Sequence, residues 1–147
     1  MPKIMNQLST SSLPLLLRWF QDETFFSLCC RQHYFMGHLK SSSTLDWLFG
    51  PNHNAITHDF PCNLDSLSSE ARAVWGDSGS IIGEHTIFPF FFPFQSEQMV
   101  TAVIQTMENG QIGSIKYRLG LLAGRFGAEH PLKACTACMT DDQSVHG

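Results

Sequence analysis

The chain has 147 residues, a formal net charge of −4 and an apolar share of 43%, but only 15% charged residues; ordinary soluble domains carry roughly 25%. That length suits one domain, or a small helical domain followed by the start of a second, and so thin a charged surface implies that a partner covers part of it. The acidic balance argues against a protein that holds nucleic acid mainly by neutralising phosphates. No apolar run approaches the ~18 residues that suggest a membrane span, the longest, Ile87 to Phe94, being broken by Pro89 and Pro93. The first ten residues lack the apolar core and cleavage site of a secretory signal, so a cytoplasmic protein is expected. Five cysteines, with Cys29 and Cys30 adjacent and Cys135 and Cys138 in a Cys-x-x-Cys, do not form a secreted disulfide framework; reduced thiols, two of them on a metal, fit better.

In chain order, Asp22-Glu23 offers an N-cap and an acid for a helix through Phe25, Phe26, Leu28, Cys29 and Tyr34, with Gly37 as its stop. Ser43 or Thr44 can cap a short helix through Leu45, Trp47, Leu48 and Phe49, which Gly50-Pro51 must end. A loop rich in Asn, His and Pro follows. Leu64, Leu67, Ala71 and Val74 recur at helical spacing before Gly76, and Gly76 to Ser80 reads as a turn. Ser96 caps an amphipathic helix with Met99, Val100, Val103, Ile104 and Met107 inward, ending at Asn109-Gly110. Ile112, Ile115, Leu119 and Leu122 repeat the pattern up to Gly124. Strand-like alternation is scarce, so the expected fold is mainly α: a small irregular helical domain over 1–130, followed by the first half of a zinc-binding motif of ribbon or finger type over 131–147.

Several constellations carry chemistry on paper. Between Gly110 and Cys138, Lys116, Arg118, Arg125 and Lys133 face a single acid, Glu129. The helices flanking Asn109-Gly110-Gln111 would form a helix-turn-helix whose second helix carries Lys116, Arg118 and Arg125 toward DNA, or simply an ordinary packed helix pair with a solvated face. Gly76-Asp77-Ser78-Gly79 matches the nucleophile segment of chymotrypsin-like proteases, with His33, His53 and His58 upstream, but that fold needs two β-barrels and a longer chain. Cys29 and His33 stand one helical turn apart, yet Cys29 lies among Phe25, Phe26 and Leu28, where an inert buried thiol is expected. No phosphate loop or catalytic metal spacing is visible, so the chain reads as a non-enzyme. Cys135 and Cys138 can converge on one tetrahedral Zn2+ but supply only two of its four ligands; a redox pair or two unconnected thiols are the alternatives.

Four stretches together resemble the TniQ/TnsD family of transposon target-site selection proteins. They are Asp22-Glu23-Thr24-Phe25-Phe26-Ser27-Leu28, then Thr44-Leu45-Asp46-Trp47-Leu48-Phe49-Gly50, then His85-Thr86-Ile87-Phe88-Pro89-Phe90-Phe91-Phe92-Pro93-Phe94, and finally Leu132 to Cys138 followed by Asp141-Asp142. The third is similar to the family's His-Thr, apolar pair, Pro, aromatic pair, Pro-Phe signature; the fourth resembles the opening of its zinc motif. Gln21 and Thr136 stand where the family commonly has prolines. The family's later Trp-His-rich segment and Cys-x-x-His pair have no counterpart here, so a chain cut inside its zinc motif is expected. The resemblance implies a non-catalytic adaptor that links a target site to a transposon AAA+ ATPase, the target being DNA or a guide-RNA (CRISPR) effector complex. It also implies zinc on Cys135 and Cys138. The acidic balance favours protein bridging, with DNA contact secondary through residues 116 to 133. A sequence-specific DNA-binding zinc protein acting without an ATPase is the alternative.

Overall fold

A computed structural model of the chain describes residues 15–51, 59–110, 115–121 and 135–146. It is mainly helical, with no strand among those residues. The chain divides into two compact units, Met1–Ile115 and Lys116–Gly147.

In the first unit an extended strap, residues 15–20, leads into α1 (Phe25–Met36). The helix starts at Thr24, whose hydroxyl accepts the Ser27 amide, and not at the expected Asp22-Glu23. Asp22 is spent on the preceding turn: its φ is 56°, and the Glu23 amide closes back on the Phe20 carbonyl at 3.3 Å. Gly37 ends α1 at φ 64°, donating to the Tyr34 carbonyl, in the left-handed conformation glycine adopts at least cost. Helix α2 (Ser41–Phe49) begins earlier than Ser43 or Thr44 because Lys40 occupies the N-cap, and Gly50-Pro51 ends it as expected.

The Leu64 to Val74 pattern divides in two. Leu64–Ser66 is a 3-10 turn, and α3 is Ser69–Trp75. Ser68 separates them: its hydroxyl caps the Ala71 amide at 3.2 Å, and its own amide donates to the Leu48 carbonyl at 2.7 Å, tying α3 to the end of α2. Leu64, Leu67 and Ala71 are buried as expected, but Trp75 takes the inward place while Val74 faces solvent. The expected turn from Gly76 is instead the start of α4 (Ser78–Glu84), because Asp77 accepts the Ser80 amide at 2.8 Å and caps a helix. The cap lowers the Asp77 pKa through its hydrogen bonds from the Ser80 backbone and side chain and from the Gly79 amide.

Phe88–Phe94 forms a 3-10 helix, with Pro89 and Pro93 excluding a regular α-helix. Helix α5 (Glu97–Asn109) is capped by Ser96; Val103 and Met107 are fully buried, while Met99, Val100 and Ile104 are half-buried. α5 packs on α4 and on the Leu64–Ser66 turn, α4 packs on the 3-10 helix, and α1 packs on α2. Phe25, Leu28, Leu48, Leu64, Ile81 and Phe88 have no exposed surface, each contributing about 1.5–3 kcal/mol by its burial.

Helix α6 is the single turn Ile115–Arg118, shorter than the expected run to Gly124. Gly120 closes it at φ 73°, where its amide meets the Tyr117 carbonyl and the Leu121 amide the Lys116 carbonyl. Ile112 and Leu122 lie outside the described residues. In the second unit, α7 spans Thr136–His146. No helix of the described residues is long and apolar enough to cross a membrane.

Candidate functional site

The signature from His85 to Phe94 opens on a residue that joins the strap to α1. His85 stacks flat on Trp19, ring centroids 3.5 Å apart at 2°. Its Nδ1 bonds the Glu23 carbonyl at 2.8 Å, and its own carbonyl accepts the Phe25 amide at 2.8 Å. His85 therefore grips the strap and the start of α1 at once. Trp19 and Trp75 complete the grip reciprocally: the Trp19 indole donates to the Trp75 carbonyl at 3.1 Å, and the Trp75 indole to the Leu17 carbonyl at 2.8 Å. Buried Gln32 pairs with the strap like a neighbouring strand, accepting from the Leu17 amide and donating to the Leu15 carbonyl.

Glu23 anchors the other side of this junction. Its buried carboxylate accepts from the Phe20 amide, the Ser27 hydroxyl and Arg31, the last at 2.6 Å, and the Arg31 guanidinium covers the Phe20 ring at 3.5 Å. Local sequence patterns mark none of these partners as part of a site. Glu23, Ser27 and Arg31 do follow one another at four-residue intervals, a helix-like spacing although Glu23 itself precedes the Thr24 cap; the tryptophan contacts span 56 and 58 residues and leave no local trace.

The same signature also faces outward. Thr86 bonds the Ile82 carbonyl and the Phe88 amide, seating Phe88 in the core against Phe60 and Phe92. Phe90 and Phe94 stand 72% and 73% exposed, their centroids 6.2 Å apart.

A groove of about 360 Å³ between α1 and α2 is lined by Phe26, Cys29, Cys30, His33, Thr44 and Leu45, among others. His33 and His38 both bring Nδ1 to the buried Thr44 hydroxyl, at 2.6 and 2.9 Å. Burial pushes the Cys29 thiol well above its ordinary pKa, with Cys30 and Glu23 adding to the effect, so this cysteine is the inert core thiol expected of it. The Ser78 hydroxyl donates to Asp65 at 2.6 Å, not to an imidazole; His53 and His58 lie outside the described residues.

Of the expected DNA contacts, Lys116 and exposed Arg118 share the one turn of α6, while Arg125 and Lys133 lie outside the described residues. Cys135 and Cys138 are exposed at the start of α7. The Cys138 amide and thiol, and then the Ala137 amide, lower the Cys135 pKa, as a helix N-terminus does for a thiolate. Two thiolates would supply only two of the four ligands that a structural Zn2+ takes. Among the described residues no group of three or more His, Cys, Asp or Glu is placed to hold a metal ion.

Fold and site together define a small helical module whose aromatic signature clamps an N-terminal strap and displays two phenylalanines. The sequence is TniQ/TnsD-like: it is 23% identical over 129 residues to the transposon Tn7 transposition protein TnsD of Escherichia coli, a match covering 87% of this chain and 25% of that protein. The chain therefore spans about a quarter of the length of the curated relative it matches. No protein-family model matches it.

Proposed function

We propose that the chain is part of a non-catalytic target-selection adaptor in DNA transposition, linking a target site to a transposon AAA+ ATPase. The observation that carries this reading is the similarity to TnsD over 87% of the chain. It runs through the helical region rather than resting on one motif. The target is DNA read directly or a guide-RNA effector complex. The acidic balance favours bridging between proteins, with Lys116, Arg118, Arg125 and Lys133 as secondary DNA contacts. Cys135 and Cys138 supply two thiolates of a structural zinc site, which stabilises the fold around it and does no chemistry.

The test is co-elution of the protein, in its full natural length, with the AAA+ ATPase encoded beside it, with and without target DNA. A complex that forms without turnover by this chain, and that is weakened by Cys135→Ser with Cys138→Ser, supports the adaptor. Absence of a complex, together with strongly salt-dependent binding to DNA alone, favours the DNA-binding zinc protein instead.

A further inference from the structure

We infer that the exposed face of the Phe88–Phe94 helix is a docking surface for a basic, apolar-anchored segment of a partner protein. Ile87, Phe90 and Phe94 are 43%, 72% and 73% exposed. This is no loose loop: Pro89 and Pro93 restrict the backbone, and Phe91 meets Phe90 edge-on at 5.4 Å while reaching back to buried Phe60 at 6.0 Å. A surface held ready in this way loses little freedom when a partner binds, and phenylalanine is among the residues enriched at interface cores.

Charge decides the occupant. From Ala73 to Ile115 the sequence contains no lysine or arginine, but it carries Asp77, Glu84, Glu97 and Glu108. Glu84 ends α4 and Glu97 opens α5, so exposed carboxylates bracket the aromatic helix on both sides in the chain. Both neighbouring helices pack within the same body, α4 against the 3-10 helix and α5 against α4. A segment with carboxylates at both ends and no lysine or arginine along it offers no cation to the phosphates of nucleic acid or of anionic lipid. It complements a polypeptide whose apolar side chains are flanked by lysine or arginine. This surface gives the adaptor reading a partner chemistry and rests on that reading only in expecting a protein to bind.

The experiment immobilises the full chain and selects a random phage-displayed peptide library on it, then measures the selected peptides against two variants. Phe90→Ala with Phe94→Ala removes exposed rings and leaves the core intact; Glu84→Lys with Glu97→Lys reverses the bracketing charge. The expected peptides carry apolar residues beside Lys or Arg. They bind the phenylalanine variant about tenfold or more weakly, the scale for losing interface anchors, and the charge-reversed variant with slower association and little salt dependence. Circular dichroism melts matching the parent chain establish that both variants fold. The inference is overturned by an unproductive selection, by neutral or acidic selected sequences, by equal binding to the phenylalanine variant, or by duplex DNA or anionic vesicles engaging the same two rings. Failure of the ATPase to co-elute sinks the adaptor reading without touching this result, and the converse holds as well.

Discussion

At Glu23 burial and hydrogen bonding pull in opposite directions. Burial works to raise the carboxyl pKa, but the Phe20 amide, Arg31 and Ser27 outweigh it and the net shift is downward from 4.5. A carboxylate with a folded pKa below its unfolded value contributes stability that is present above the unfolded value and lost as pH falls through the folded one. Stability should therefore drop below about pH 4.5, and Glu23→Gln should flatten that part of a urea-unfolding series taken across pH. Arg31→Ala at neutral pH should cost about 1–2 kcal/mol, between the values for exposed and fully buried pairs. At His85 two replacements separate stacking from hydrogen bonding. His85→Phe keeps a ring against Trp19 and leaves the Glu23 carbonyl without this partner, for about 1 kcal/mol; His85→Ala loses both contacts and should cost about 2 kcal/mol or more. Equal losses would show that the stack contributes nothing. The thiols should also separate by reactivity. Cys62 is pushed up to about 11 by burial and by Asp59, and burial raises Cys29 well above its ordinary value, whereas Cys135 is lowered and exposed. With metal removed by a chelator, mass mapping of iodoacetamide adducts at mildly alkaline pH should find Cys135 modified first and Cys29 and Cys62 last.

Helix ends set the elements of the first unit, and glycines within and beside the helices distinguish propensity from packing. Gly83 lies inside α4 with open space where a Cβ would project. Gly83→Ala should raise stability by about 0.5–1 kcal/mol through helix propensity and the unfolded chain's lost freedom. Gly110, at the end of α5, is the opposite case. A Cβ there would lie 2.7 Å from the Thr106 carbonyl oxygen and 3.0 Å from its Cα, backbone atoms that cannot swing aside. Gly110→Ala should cost about 1–3 kcal/mol, the range for forced overpacking. Thermal melts of the two variants should move in opposite directions; a shared direction would contradict the open space at Gly83 or the crowding at Gly110. Ser96 belongs to the same scale, since its hydroxyl caps α5 through the Met99 amide at 3.3 Å, and Ser96→Ala should cost about 1 kcal/mol.

Across the whole molecule, the sequence by itself determined the helical class, the order of the main helices and the stops at Gly37, Gly50 and Gly110, because capping and apolar period act over a few residues. It also determined the TniQ/TnsD likeness, whose four stretches occur in order along the chain. Local rules failed where a distant group competed for the backbone. Ser68 breaks the Leu64 to Val74 pattern by bonding Leu48 across the fold. The glycines around Asp77 read as a turn, but Asp77 caps α4, and the burial of Ile81 and Ile82 makes that helix worthwhile. Only the tertiary structure decided which aromatics face in. Phe88 and Phe90 are chemically identical and two residues apart, and one is buried against Phe60 while the other stands in solvent. The strap clamp was decided in the same way: Trp19, Trp75 and His85 meet because three separate segments converge, and long-range packing of that kind leaves no short-range spacing in the sequence from which to read it.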